Sequence, residues 1–178
     1  MATKATVYKV ALQIADMDRH YYADHAITLA QHPSETDTRM MVRLLAFALN
    51  ASDSLAFSKG LCVDDEAELW DKSLSDEINL WIEFGQADEK WLRKASGRAK
   101  HVILYTYGGR SVPIWWQQNQ QALSRYDNLS VINLPEDAVK QLDVFVSRNM
   151  AVQVSISEGQ VWLSDSHNSV LVEPEKLK

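Results

Sequence analysis

Two carboxylates, Glu68 and Glu83, stand at the edges of short apolar runs. A charge buried there is costly unless something pairs with it or uses it. Glu83 comes late in Ile78–Phe84, just before Gly85 breaks the run, and Glu68 opens Glu68-Leu69-Trp70-Asp71-Lys72. If both runs are strands, the two acids lie on neighbouring strands. Glu35 backs them from a preceding helix and Lys94 from a following one. Hard oxygen ligands of this kind suit Mg²⁺, which keeps several waters and takes one or two carboxylates plus substrate phosphate oxygens. A nearby lysine can orient or deprotonate an attacking water, or stabilise charge on phosphorus. Plainer readings stand beside these. Glu83 could end a solvated strand face, paired with Arg93 or Lys94, and Glu35 could serve only the first turn of its helix, where the dipole favours an acid. Four acids in Asp64–Glu68 are what a solvated loop carries.

The elements that would hold these residues are legible in the patterning. Ile78, Leu80, Ile82 and Phe84 alternate with Asn79, Trp81 and Glu83, which predicts a strand. A helix begins near Ala87, with Asp88 and Glu89 at its start and Arg98 and Lys100 at its end, as the macrodipole favours. His101–Tyr107 is a second strand before Gly108-Gly109. Strand, helix, strand at this length implies a right-handed crossover and parallel pairing. Ala5–Ile14 and His20–Gln31 alternate and predict an N-terminal hairpin, which makes Asp16, Asp18 and His20 a solvated turn rather than a metal site. Ser34 is the expected cap of a helix reaching about Asn50, with Asp37 completing a capping box and Met40, Met41, Leu44, Leu45, Ala48 and Leu49 forming its buried stripe. Ser52–Lys59 reads as irregular or a short helical turn, anchored by Leu55 and Phe57. Pro113 opens a short helix, Leu129–Leu134 is a strand, and Pro135–Ser147 is a helix. Met150–Ser157 and Val161–Ser164 form a hairpin, and the tail after Glu173 frays.

A chain of 178 residues with 46% apolar content is expected to form a single domain, 1–178. No run approaches the roughly 18 apolar residues of a membrane span, and no signal peptide opens the chain. The single Cys62 makes no internal disulfide, so the chain reads as cytoplasmic. A net charge of −6 weighs against broad phosphate-driven binding but leaves room for a local basic face. Other chemistries lack their motifs: there is no phosphate-cradling glycine loop, no zinc spacing and no nucleophile elbow.

The segments HPSETDTRMMVRLLAFALNA, GLCVDDEAELW, LWIEFGQADEKWLRKAS, TYGGR and IWWQQNQ resemble the YaeQ family, and the likeness runs over essentially the whole length. That family is similar in fold to PD-(D/E)XK nucleases and carries a variant of their motif. The resemblance implies an α/β fold, a mixed central sheet flanked by helices, with a restriction-endonuclease-like core and the N-terminal β-hairpin. It implies that Glu35 matches the helix acid, Glu68 the acid after the proline, and Glu83 the (D/E) position. Ala67 stands where the motif has Pro, and Gly85 where it has Lys, with Gln86 next. Lys94 would then supply the ammonium from the following helix.

Three readings follow. In the first, a Mg²⁺-dependent nuclease or phosphodiesterase uses Glu68, Glu83 and Lys94 for catalysis and Glu35, Glu68 and Glu83 for metal, with Gln86, Tyr107, Arg110 and Trp116 gripping nucleic acid. In the second, a non-catalytic nucleic-acid-binding or adaptor protein keeps the degenerate fold without the strand lysine. The third is a small-molecule enzyme using a Trp-lined cleft.

Overall fold

The computed structural model describes residues 4–58 and 65–178. Its strands are β1 (Thr6–Asp16), β2 (Tyr21–Gln31), β3 (Leu55–Phe57), β4 (Leu69–Lys72), β5 (Ile78–Phe84), β6 (Ala99–Thr106), β7 (Leu129–Asn133), β8 (Asn149–Ser157), β9 (Gln160–Ser164), β10 (Ser169–Val172) and β11 (Glu175–Lys176). Its helices are α1 (Asp37–Asn50), α2 (Glu89–Arg98), α3 (Ser111–Leu123) and α4 (Glu136–Gln141), the last continued by a 3₁₀ turn, Leu142–Phe145. The expected mixed α/β class is what the chain forms, with two sheets in place of one. Cys62 and Asp64 lie outside the described residues, and with them the first half of the acid-rich loop. Among the described residues no helix is long and apolar enough to cross a membrane. Met1–Leu49 and Asp137–Pro174 make one compact unit, and Asn50–Glu136 with Glu175–Lys178 a second.

In the first unit the sheet order is β10-β9-β8-β1-β2. β1 and β2 form the expected antiparallel hairpin, in register from Thr6↔Gln31 to Asp16↔Tyr21, and β8 adds to β1 in parallel. Period two sets burial: Tyr8, Val10, Leu12 and Ile14 are buried, whereas Val7, Lys9, Ala11 and Gln13 are exposed. The strand runs on through Asp16, whose buried carboxylate accepts from the N–H and Nε of Arg19 at 3.0 and 2.6 Å. Asp18 accepts from the backbone N–H groups of Glu158 and Gly159 at 2.8 and 2.9 Å. Both acids are thus used to close turns.

The cap of α1 differs from the expectation. The Thr36 carbonyl takes the first helical bond, from Met40 N–H at 3.1 Å, and the Thr36 hydroxyl accepts from Arg39 N–H at 3.1 Å. Thr36 is the N-cap, and Ser34 instead bonds the His32 ring at 2.6 Å. Thr36→Ala should therefore lose about 1 kcal/mol in urea denaturation while Ser34→Ala stays near wild type; the reverse ranking would put the cap back at Ser34. The buried stripe is also too narrow a description, because Met40 to Ala48 are buried without a break, Arg43 included. A helix covered on all sides cannot be recognised from one face of its wheel.

In the second unit the order is β11-β7-β6-β5-β4-β3. β5 and β6 are parallel, from Ile78↔Ala99 to Phe84↔Tyr105, and β7 continues in parallel beside β6. The crossovers are α2, capped by Asp88 accepting from Lys90 N–H, and α3. Several boundaries differ from those expected. α3 starts at Ser111, before Pro113, because Gly109 already offers its carbonyl to Val112 N–H at 3.2 Å. α4 stops at Gln141 and tightens into the 3₁₀ turn, leaving Ser147 outside. Leu55–Phe57, expected to be irregular, pairs with β4. The tail does not fray: Glu175 and Lys176 pair with β7, and Lys178 Nζ bonds the carbonyls of Tyr126 and Leu129. Strands of two or three residues show no period of their own, and only their partners define them.

Candidate functional site

β5, β6 and β7 end at the same edge of their sheet, the place where open α/β folds gather ligands. Trp81 and Glu83 share a face of β5, two residues apart, and Glu83 lies beside Leu104 of β6. Trp81 and Leu104 belong to one core cluster with Leu92 and Ala95 of α2. Glu83 is therefore drawn into an apolar layer and keeps only 7% exposure. Its Oε1 accepts from Trp81 Nε1 at 2.7 Å. Neighbouring rings and a cation hold the indole in place for this bond. Trp70 and Trp91 meet it edge-on, each with centroids 6.0 Å away, and the Arg98 guanidinium lies 5.1 Å from its centroid. The solvated-strand reading of Glu83 does not fit this burial.

Glu68 sits half-buried at the same strand end. Its N–H bonds the Ile82 carbonyl at 3.1 Å and its carbonyl accepts from Ser58 N–H at 3.1 Å. Leu69 is already opposite Ile82 in the ladder, so two successive residues meet one partner. An offset of this kind re-aims side chains. The structure thus brings Glu68 to the end of β5 where Glu83 stands.

Lys94 has Asp65 and Trp91 as partners. Its ammonium bonds the Asp65 carboxylate and lies 5.1 Å from the Trp91 ring centroid. The Lys94 hydrogen bond, then its charge, hold the Asp65 carboxyl below the usual range, and Arg98 adds to this. Arg98 also bonds the Asp65 carbonyl at 2.8 Å. Glu35, in the first unit, gives its oxygens to guanidinium groups: Arg43 reaches Oε1 at 2.7 Å and Oε2 at 2.8 Å, and Arg39 reaches Oε1 at 2.9 Å. Among the described residues no three His, Cys, Asp or Glu side chains gather as a metal cluster.

The loops beyond the strand ends join through Gln86. Its side-chain amide donates to Ser111 Oγ, which donates to the Gly108 carbonyl at 3.0 Å. A Cβ at Gly108 would stand 2.8 Å from Gln86 Nε2, so a larger residue there would push that amide aside. Gly109 has φ +63 and a Cβ there would stand 1.8 Å from Glu136 Oε2. Arg110 precedes α3 without capping it by its side chain. Trp116 is partly buried, 6.2 Å from Trp115 centroid to centroid, and packs on the core cluster. Tyr107 stands half-buried between β6 and Gly108. Thr106 and Asn133, side by side at the ends of β6 and β7, share a 2.9 Å hydrogen bond. Sequence reading missed Ser111, Glu136, Thr106 and Asn133. The Gly108-Gly109 pair before a helix was the available signal for the first two; nothing local marks the others.

A family model described as YaeQ protein matches residues 1–174. YaeQ of Escherichia coli (strain K12) is 45% identical over 172 residues, covering 97% of this chain and 95% of that protein. YaeQ of Salmonella typhi is 44% identical over 173 residues, covering 97% and 96%. The crystal structure of the YaeQ protein from Xanthomonas axonopodis pv. citri matches with a TM-score of 0.95 at 46% identity, over 98% of each chain. That of YaeQ from Pseudomonas syringae matches with a TM-score of 0.92 at 37% identity, over 98% of this chain and 96% of that one.

Proposed function

The chain belongs to the YaeQ protein family, and from that premise we propose that it is a divalent-cation-dependent phosphodiester-cleaving protein, built on a PD-(D/E)XK-like variant site and acting on nucleic acid in the cytoplasm. The observation that carries this reading is the Glu83 carboxylate, 7% exposed, at the end of β5 beside Glu68. One of its oxygens is committed to Trp81. Two carboxylates and the oxygens of a bound phosphodiester are the donor set that Mg²⁺ or Mn²⁺ takes, with water completing it. When bound, the cation would supply Lewis-acid polarisation of the phosphoryl oxygen. Glu83 and Glu68 would hold it, Trp81 would fix the Glu83 rotamer, and Gln86 would present its amide towards substrate. Glu35 is set aside as a ligand, because it would first have to release Arg43.

A cation binds only the folded form and so raises its melting temperature with occupancy. Millimolar Mn²⁺ should stabilise the wild type. Glu83→Gln, which keeps an oxygen for Trp81 to donate to, should fold and show no shift. A wild type indifferent to Mn²⁺ would end the metal reading. One feature favours the second reading, a nucleic-acid-binding protein that does not cut. Lys94 is tied to Asp65, and Gly85 stands where the strand lysine would be. Metal binding with intact plasmid and oligonucleotide substrates would select it.

A further inference from the structure

We infer that the outer face of α2 is a track for single-stranded nucleic acid, with Lys90 and Arg93 as its phosphate-binding cations and Trp91 as a base-stacking surface. Residues 89–100 carry Lys90, Arg93, Lys94, Arg98 and Lys100 against the one acid Glu89, in a chain whose net charge is −6. The acids beside this face are each committed. Asp88 caps the helix, Glu89 accepts from the Tyr126 hydroxyl, and Asp65 holds Lys94. Lys90 and Arg93 are exposed, and neither head group makes a hydrogen bond or ion pair among the described residues. Cations three and four apart on a helix share one side, and such a row follows a phosphate backbone.

An open groove of about 690 Å³ runs along this side, lined by Lys90, Trp91, Arg93, Lys94, Gly97 and Arg98, with the capping acid Asp88 at its end. Gly97 is the independent observation. A glycine inside a helix weakens it relative to alanine, yet a Cβ at Gly97 would meet nothing within 4 Å, and its backbone is helical. Among the described residues no packing calls for glycine there. A partner that approaches the backbone closely does. Trp91 is half-buried, met edge-on by Trp81 and with the Lys94 ammonium over its ring, 5.1 Å from the centroid, so the indole is held in one orientation and a base would displace that ammonium to stack on it.

The choice of nucleic acid over other polyanions rests on the proposed function, but the track is testable without metal. A labelled oligo-dT or oligo-U is titrated in EDTA and read by fluorescence anisotropy. The expected result is binding that weakens with salt at a log–log slope of about −1.4, as two single-strand phosphate contacts give. Lys90→Glu/Arg93→Glu should weaken it at least tenfold. Gly97→Leu should melt no lower than wild type and still bind at least tenfold more weakly, an outcome that a purely structural glycine does not produce. No binding at low salt, or unchanged affinity in the α2 variants, overturns the inference. So does heparin or an anionic vesicle binding as tightly as the oligonucleotide. Loss of the Mn²⁺ shift with the track intact would instead remove the catalytic reading alone.

Discussion

Arg43→Met should destabilise the first unit by about 3–5 kcal/mol, the range for removing one member of a buried ion pair. Arg43 is 7% exposed, and its guanidinium bonds the Glu35 carboxylate at 2.7 and 2.8 Å and the Ala30 carbonyl at 3.0 Å. Methionine fills much of the volume but donates nothing. Glu35 would keep only Arg39, whose side chain is 24% exposed and shares its hydrogen bonding with water. Uncompensated charge, and not the ion pair's own strength, is the source of the loss, because desolvation offsets most of the Coulomb gain. Replacing both Glu35 and Arg43 by methionine should therefore recover most of what the single variant loses. Urea denaturation of both checks this. A single-variant loss below about 1 kcal/mol, the level of an exposed pair, would show the pair to be solvated. A third variant, Glu35→Gln, decides the role of Glu35. If that residue serves only α1, the loss in Glu35→Gln is the same in EDTA and in Mn²⁺; if it holds metal, the Mn²⁺ shift disappears with it.

Trp81 should give an effect of similar size in the second unit. It is fully buried, with two tryptophans against its edges. Trp81→Ala should lose about 3–5 kcal/mol through the cavity it leaves. Trp81→Phe is more informative. It retains an aromatic ring but no N–H, so the buried Glu83 oxygen loses its donor, at about 1.5–3 kcal/mol for a hydrogen bond to a charged group. In a double-mutant cycle, Trp81→Phe and Glu83→Leu, each of which removes the hydrogen bond, should couple by about 0.5–3 kcal/mol, the range for residues in contact. Additive losses would mean that the indole supports the core and not the carboxylate. Trp81→Phe should also weaken the Mn²⁺ shift, since a ligand free to rotate binds metal less well.

The sequence determined by itself whatever depends on local period. The N-terminal hairpin, the parallel β5 and β6 and the α2 crossover between them all follow from alternation, a glycine and helix-end charges, because each element satisfies its own backbone or pairs with a near neighbour in the chain. Glu83 was conspicuous for the same reason, as a charge inside an apolar run. Tertiary structure decided what depends on residues far apart. Glu35 bonds Arg43 from eight positions away, and no spacing rule marks that pair. Asp65 takes Lys94 across 29 positions, a pairing that no spacing rule marks. Thr106 meets Asn133 only because β6 and β7 run side by side. β3 and β11 exist because longer strands offered them an edge. A carboxylate's sequence position tells that it is costly to bury. Which donor compensates it is settled only when folding brings distant side chains within hydrogen-bonding distance, and that choice separates a structural acid such as Glu35 from a candidate ligand such as Glu83.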